Sequence, residues 1–157
     1  MGQLDQFVVF SLDEQRYALP LQAIERIVRA VEVTALPHAP PMVLGVIDMA
    51  GRILPVLSLR QHFGLPDRAV VPADRFLIAR TALRTVAVVI DEAQGVIERR
   101  QSDVGGTGEI APGFTKIQGV VKIGDDLVLV LDPERWLSAD DARSLYTAIG
   151  PPVAHAA

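Results

Sequence analysis

The feature that most constrains this chain is a series of short apolar runs joined in pairs by tight turns. Val, Ile and Leu dominate the runs, and each pair is separated by only two to four residues. This spacing is typical of β-hairpins. The predicted pairs are Gln6–Leu12 with Gln15–Leu19, Val43–Ile47 with Arg52–Leu59, Arg75–Arg80 with Arg84–Asp91, and Lys116–Ile123 with Leu127–Leu131. Because no β-α-β alternation interrupts them, the pattern favours a barrel or sandwich over a doubly wound nucleotide fold.

Three further elements are predicted besides the hairpins. Apolar residues recur at three- and four-residue spacing over Leu21–Val28, which predicts a short helix with one apolar face. Apolar and polar residues then alternate over Val31–Ala35, which predicts a strand. A helical turn closed by glycine is expected over Leu59–Gly64.

The C-terminal part is predicted to end in a helix. Asp132-Pro133 supplies one helix start, and Ser138 with Asp141 three residues later supplies a second. Gly150 ends the helix. Ala93–Glu98 is expected to form a further strand, and Gln101–Thr115 an exposed loop.

Composition excludes several classes of function. The chain has 15 basic and 19 acidic residues, a net charge of −4, and 5% aromatic residues. Such a surface suits neither phosphate neutralisation nor base stacking, so nucleic acid is not an expected partner. The mean hydropathy is +0.30, but the longest uncharged stretch is interrupted by prolines and is too short to span a bilayer. With no cysteine, we expect a soluble, cytoplasmic protein without membrane insertion.

No motif in the sequence predicts catalysis. The three histidines lack the spacing of metal ligands. The acidic pairs fall in turns and at helix starts, where carboxylates accept backbone N–H groups. Gly105–Gly108 lacks the Lys-Ser/Thr ending of a phosphate-binding loop. We therefore expect a protein that is not an enzyme and that has no metal or cofactor. Separately, the segment Pro37–Leu44 is apolar and rich in proline, and it is either a docking patch or a segment that covers a barrel end.

An ordered set of segments resembles the CheW family of chemotaxis coupling proteins, from Phe7 to about Leu137. The matching segments are Phe10–Leu12, Tyr17–Pro20, Ala23–Ile27, Leu36–Pro40, Val43–Ile47, Gly51, Leu54–Val56, Leu59–Arg60, Val88–Asp91, Gly95–Val96, Ile117–Val120 and Val130–Asp132. The resemblance implies a mainly β fold of two intertwined five-stranded SH3-like barrels with a C-terminal helix. Residues 6–149 would form this single domain, and residues 150–157 a flexible tail.

The resemblance also implies a non-catalytic adaptor. Family members bind the regulatory domain of a CheA-type histidine kinase with one surface and the cytoplasmic tip of chemoreceptors with another. The positions carried over as partner-binding are Ile24, Arg26, Gly45, Ala50, Gly51 and Arg52. Gly45 and Gly51 are expected to serve backbone shape, and Ile24 fits a core position equally well.

Three positions depart from the family pattern. Ala50 stands where the family usually has Arg, and Arg52 lies two residues later, which leaves open whether Arg52 replaces it. Arg26, beside Glu25, stands where Glu is usual, and Ser58 where Asp is usual. The alternatives are an adaptor of a parallel chemosensory system, such as one controlling pili, a small oligonucleotide-binding barrel, or a small hydrolase.

Overall fold

The structure, a computed structural model, describes residues 4–100, 105–106 and 117–152. Eleven strands and one α-helix are formed by these residues. They are β1 (Leu4–Leu12), β2 (Gln15–Pro20), β3 (Ile24–Arg29), β4 (Val43–Met49), β5 (Arg52–Leu57), β6 (Arg75–Arg80), β7 (Thr85–Ile90), β8 (Glu92–Arg100), β9 (Gly105–Gly106), β10 (Ile117–Ile123), β11 (Asp126–Leu131) and α1 (Ala139–Ile149). No helix among the described residues is long and apolar enough to cross a membrane.

The strands form two sheets that the chain visits in turn. The first has the order β8-β1-β2-β11-β10-β9 and the second the order β3-β6-β7-β5-β4. The chain leaves the first sheet after β2, builds the whole second sheet, and returns at β8. Each sheet contains one parallel pair, β2 with β11 and β5 with β7. The predicted mainly β fold of two intertwined barrels with a C-terminal helix is confirmed, with the two-residue β9 as a sixth strand of the first sheet.

Three apolar clusters form the core, one inside each barrel and one between the two barrels. The first barrel, formed by β1, β2 and β8–β11, is filled by residues such as Phe7 and Val130, and the second, formed by β3–β7, by Phe76 and Ile78. The largest cluster lies between the barrels and includes Trp136. We call it the shared core. Because the central strands β6 and β7 are covered on both faces, they read as nearly continuous apolar runs.

The four predicted hairpins and the C-terminal helix are confirmed. Asp132 accepts a hydrogen bond from the N–H of Glu134 and begins a short 3-10 turn, Pro133–Arg135. Ser138 and Asp141 form the predicted capping box at the start of α1. The glycine-closed turn is also present, as the 3-10 turn Gln61–Phe63. The predicted loop Gln101–Thr115 lies outside the described residues except for the strand β9.

The predicted helix over Leu21–Val28 is wrong. A 3-10 turn, Leu21–Ala23, leads instead into β3, whose pairing with β6 shifts register between Ile24 and Arg26. This bulge inserts one extra residue, so Ile24 and Ile27 both pack against the shared core although they are three residues apart. A bulged strand therefore produced the apolar spacing of a helix.

The predicted strand over Val31–Ala35 is reduced to a single bridge. Thr34 exchanges two backbone hydrogen bonds with Val46 of β4, with N···O distances of 2.9 and 2.8 Å. Ala30 N–H donates to the carbonyl of Asp74, at 3.1 Å. The segment therefore connects the two edge strands of the second sheet, β3 and β4, and closes the second barrel.

Closure at this bridge requires glycine at position 45. A Cβ atom at Gly45 would lie 2.1 Å from the Thr34 carbonyl oxygen and 2.8 Å from Val33 Cγ1. These separations are shorter than any non-bonded contact that side chains tolerate. The expected role of Gly45 in backbone shape thus has a steric basis.

A chain of alternating charges links the turns around the shared core. The buried Arg60 contacts Asp13, in the β1–β2 turn, and Asp91, which joins β7 to β8. Asp91 also accepts from Arg68, which forms a bidentate pair with the buried Asp74 at 2.8 and 2.9 Å. Burial opposes the charge of Asp74, but hydrogen bonds from Arg68 and the Val71 N–H outweigh it, so the pKa of Asp74 lies below its usual range.

We expect Gly45→Ala to lower the free energy of unfolding by at least about 2 kcal/mol, because the new methyl group overlaps the Thr34 carbonyl. Urea denaturation measures the change. The control is Gly64→Ala, where the added Cβ meets open space and the cost is only the left-handed backbone, about 1 kcal/mol. Equal losses for the two variants would contradict the steric account.

We expect Asp74→Asn to lose stability at pH 7 and to approach the wild type as the pH falls below about 4. A carboxylate whose pKa is lowered by folding stabilises the protein above its unfolded pKa, and that contribution disappears on protonation. The measurement is the free energy of unfolding between pH 3 and pH 7. Asp140→Asn, on the exposed face of α1, is the control. A loss for Asp74→Asn that does not change with pH would contradict this expectation.

Candidate functional site

The predicted partner-binding residues lie on the second barrel, around the β4–β5 hairpin and on β3. Ala50 and Gly51 form the exposed tip of this hairpin, both with positive φ, +52° and +87°. The Asp48 carboxylate accepts a hydrogen bond from the Gly51 N–H at 2.9 Å. This contact fixes the tip in the tight conformation that glycine makes accessible.

Arg52, the first residue of β5, is paired with Glu25 of β3. Arg52 Nη2 lies 2.7 Å from Glu25 Oε2, and the two side chains are only 18% and 15% exposed. In the sheet, β6 and β7 separate β3 from β5, so the pair reaches across the end of the second barrel. The bulge in β3 brings Glu25 to this place. The side chain of Arg52 is therefore oriented by a charge-assisted hydrogen bond.

The other three predicted residues differ in exposure. Arg26 is exposed and follows Glu25 directly, so it lies beside the Arg52 pair. Ile24 is half-buried against the shared core, which supports the core alternative for this residue. Gly45 is buried beneath Thr34. The structure thus places Arg26, Ala50, Gly51 and Arg52 toward one end of the second barrel. Ile24 packs against the shared core, and Gly45 lies at the bridge to Thr34.

A pocket that sequence reasoning missed adjoins this end of the barrel. It has a volume of about 260 Å³ and is lined by Arg52–Leu54, Arg80–Thr85 and Pro152. We call it the arginine pocket, after Arg52, Arg80 and Arg84. Two exposed apolar side chains, Ile53 and Leu83, belong to its wall. The arginines that flank the β6–β7 turn were the available signal in the sequence.

Arg84 is the most buried of the three arginines. Its side chain donates to the carbonyl oxygen of Gly150 at 2.6 Å, and burial lowers its pKa because the charged guanidinium loses hydration. Arg80 is exposed and donates to the carbonyl of Gln22 at 3.1 Å. Within the described part of the chain, no carboxylate pairs with Arg80 or Arg84.

The proline-rich segment Pro37–Leu44 is partly internal. Met42 and Val43 belong to the shared core, whereas Pro37, Pro41 and Leu44 are exposed. Met42 contributes to a groove of about 440 Å³ that also includes His62 and residues 135–138. The indole N–H of Trp136 is buried there without a hydrogen-bond acceptor among the described residues.

Nothing in the described residues assembles a metal centre. No group of three His, Cys, Asp or Glu side chains is placed to hold an ion within residues 4–100, 105–106 and 117–152. The arrangement around the arginine pocket offers cations and apolar surface instead. Those are the elements of a binding face.

Comparisons with known proteins agree on one family. The model of the CheW-like domain matches residues 6–141. The chain is 31% identical to the chemotaxis protein CheW of Helicobacter pylori, over 86% of this chain and 82% of that protein. A shorter match, 28% identical, covers 58% of this chain and 57% of protein FrzA of Myxococcus xanthus.

A solved structure shares the fold. The crystal structure of the scaffolding protein TtCheW from Thermoanaerobacter tengcongensis aligns with a TM-score of 0.78 at 22% identity. The alignment covers 90% of this chain and 92% of that one. Since the family model spans most of the chain and the curated relative exceeds 30% identity, this chain belongs to the CheW-like family, the non-catalytic scaffold proteins of chemotaxis.

Proposed function

We propose that this protein is a cytoplasmic adaptor that couples chemoreceptors to a CheA-type histidine kinase. One surface binds the regulatory domain of the kinase, and another binds the cytoplasmic tip of the receptors. The observation that carries the proposal is the match of the CheW-like domain over residues 6–141. The two-barrel fold with a shared core supports it, because one rigid body then presents two separate faces.

We place one partner face at the end of the second barrel, on Arg26, Ala50, Gly51 and Arg52. The hairpin tip is exposed and held by Asp48, and Arg52 is oriented by Glu25. Preorganised side chains lose less conformational entropy on binding than mobile ones. Gly45 and Ile24 serve this face indirectly, since they fix the closure and packing of the barrel beneath it.

Arg52 is our candidate for the role of the arginine that the family carries at the position of Ala50. Ala50 has no hydrogen-bonding side chain, whereas Arg52 begins the next strand and is held at the same barrel end by a half-buried carboxylate. Unlike the methyl group of Ala50, a guanidinium provides a planar set of N–H donors.

The adaptor function predicts a complex with the kinase. The purified chain should co-elute in gel filtration with the regulatory domain of the CheA-type kinase from the same organism. A micromolar dissociation constant, about 8 kcal/mol, suits a signalling contact. In a companion experiment, the chain should co-sediment with fragments of the receptor. Absence of binding to both partners would contradict the proposed function.

A substitution at the hairpin tip is expected to weaken partner binding without lowering stability. We expect Ala50→Glu to weaken capture of the kinase domain or of receptor at least tenfold, because a bulky anion would occupy the contact face. The melting temperature should change little, because Ala50 is exposed and its positive φ is kept.

Ala148→Glu is the matched control, since Ala148 is exposed on α1 beyond the matched domain. Unchanged capture by Ala50→Glu, or an equal loss in the control, would show that the tip is not a partner face.

A second candidate is an adaptor of a parallel chemosensory system with an altered receptor set. The loss of the family arginine at Ala50 favours it, and so does the partial similarity to protein FrzA. Co-purification decides between the two. Recovery of receptors and kinase of the flagellar array would exclude the second candidate, and recovery of a different receptor class would exclude the first.

A further inference from the structure

We propose that the arginine pocket binds a carboxylate-bearing apolar segment of a partner protein. The inference rests on the proposed function, because it names the chemistry that the partner face would recognise. In the segment, an Asp or Glu side chain would pair with Arg84 and Arg80, and a neighbouring aliphatic side chain would pack on Ile53 and Leu83.

Arg84 is a buried cation to which no described residue supplies a counter-charge. The residue is only 6% exposed, and its guanidinium donates to the neutral carbonyl of Gly150. A buried cation without an ionic partner is costly, and buried charges in proteins are normally paired. Since Arg84 lines the pocket, an incoming carboxylate could supply the pair.

The described residues that line the pocket include three arginines and no acidic residue. Arg52 is matched by Glu25, while Arg80 contacts the backbone carbonyl of Gln22. Glu134 approaches the same turn, but its carboxylate accepts from the Ala82 N–H at 2.8 Å and forms no ion pair with Arg80 or Arg84. The pocket wall therefore keeps two positive charges that the described residues leave uncompensated.

The apolar rim and the size of the pocket fit a side chain of a partner protein. Ile53 and Leu83 are 42% and 41% exposed, so the pocket wall offers two accessible aliphatic side chains. A volume of about 260 Å³ is below the range of about 300–1,000 Å³ of small-molecule sites. It suits one or two side chains of a docked protein segment.

The β6–β7 turn is held by hydrogen bonds within the turn itself. Thr81 Oγ1 donates to the carbonyl of Arg84 at 2.7 Å and accepts from the N–H groups of Leu83 and Arg84. Together with the contact from Glu134 to Ala82, these bonds hold the turn in one conformation. A preformed turn lowers the entropy cost of docking.

The test uses two capped peptides, acetyl-Gly-Leu-Glu-Leu-Gly-amide and its Gln analogue, with 15N chemical-shift titration of the full chain. We expect the Glu peptide to shift the amides of residues 80–85 and to bind about tenfold more tightly than the Gln peptide, because a charge-assisted bond is lost in the latter. Equal binding of the two peptides, or no binding, overturns the proposal.

Three variants locate the site. Arg84→Gln should abolish the preference for Glu, but this buried residue can also affect folding. Arg80→Gln and Leu83→Ser change exposed side chains and should each weaken binding of the Glu peptide several-fold with unchanged melting temperature. Arg143→Gln, on the exposed face of α1, is the matched control. Unchanged affinity in both Arg80→Gln and Leu83→Ser overturns the proposal.

Two further measurements test other occupants. If inorganic phosphate shifts the same amides as strongly as the Glu peptide, the pocket is a general anion site and the proposal fails. If the chain self-associates in sedimentation and Leu83→Ser abolishes this, a second copy occupies the pocket and the proposal fails as well. Binding of the kinase domain by the wild type is measured separately, and its presence or absence separates failure of the pocket from failure of the adaptor function.

Discussion

The packing of the second sheet on both faces is the constraint on which the rest of the structure depends. Along β7, Val86, Val88 and Ile90 enter the shared core, whereas Ala87 and Val89 fill the barrel. The two barrels therefore depend on each other, because the strands that enclose the second barrel also bury side chains in the shared core. The path of the chain agrees with this packing. The chain passes from β2 of the first sheet into β3–β7 of the second sheet and returns to the first sheet at β8.

The candidate site follows from how the second barrel is closed. Thr34 can bridge to Val46 only because Gly45 lacks a side chain, and the bulge in β3 turns Glu25 toward Arg52. The same end of the barrel carries the β4–β5 and β6–β7 turns, so their exposed residues lie over a rigid base. A scaffold protein needs this property, because affinity between folded surfaces depends on preorganised contacts rather than on contact area.

Much of the fold could be predicted from the sequence, because hairpin turns and apolar runs are local signals. The helix expected over Leu21–Val28 was wrong. A bulge changes which residues of a strand face the core, and no residue type in this segment indicates a bulge. The β4–β5 hairpin was predicted from local spacing, whereas the candidate role of its tip, Ala50 and Gly51, came from the family resemblance. The support of this tip was not predicted, because the Glu25–Arg52 pair joins strands that are separated in the sheet by two others. The arginine pocket was missed for the same reason, since Arg84 and Gly150 meet only in the folded chain.

The central claim is that the end of the second barrel is a partner face of a non-catalytic adaptor. Hydrogen–deuterium exchange of the chain, alone and in complex with the regulatory domain of its CheA-type kinase or with a receptor fragment, tests it most directly. The account predicts that at least one of the two partners slows exchange in residues 48–53 and 80–85. Slowing confined to the first barrel in both complexes, with exchange at these two turns unchanged, would contradict the account.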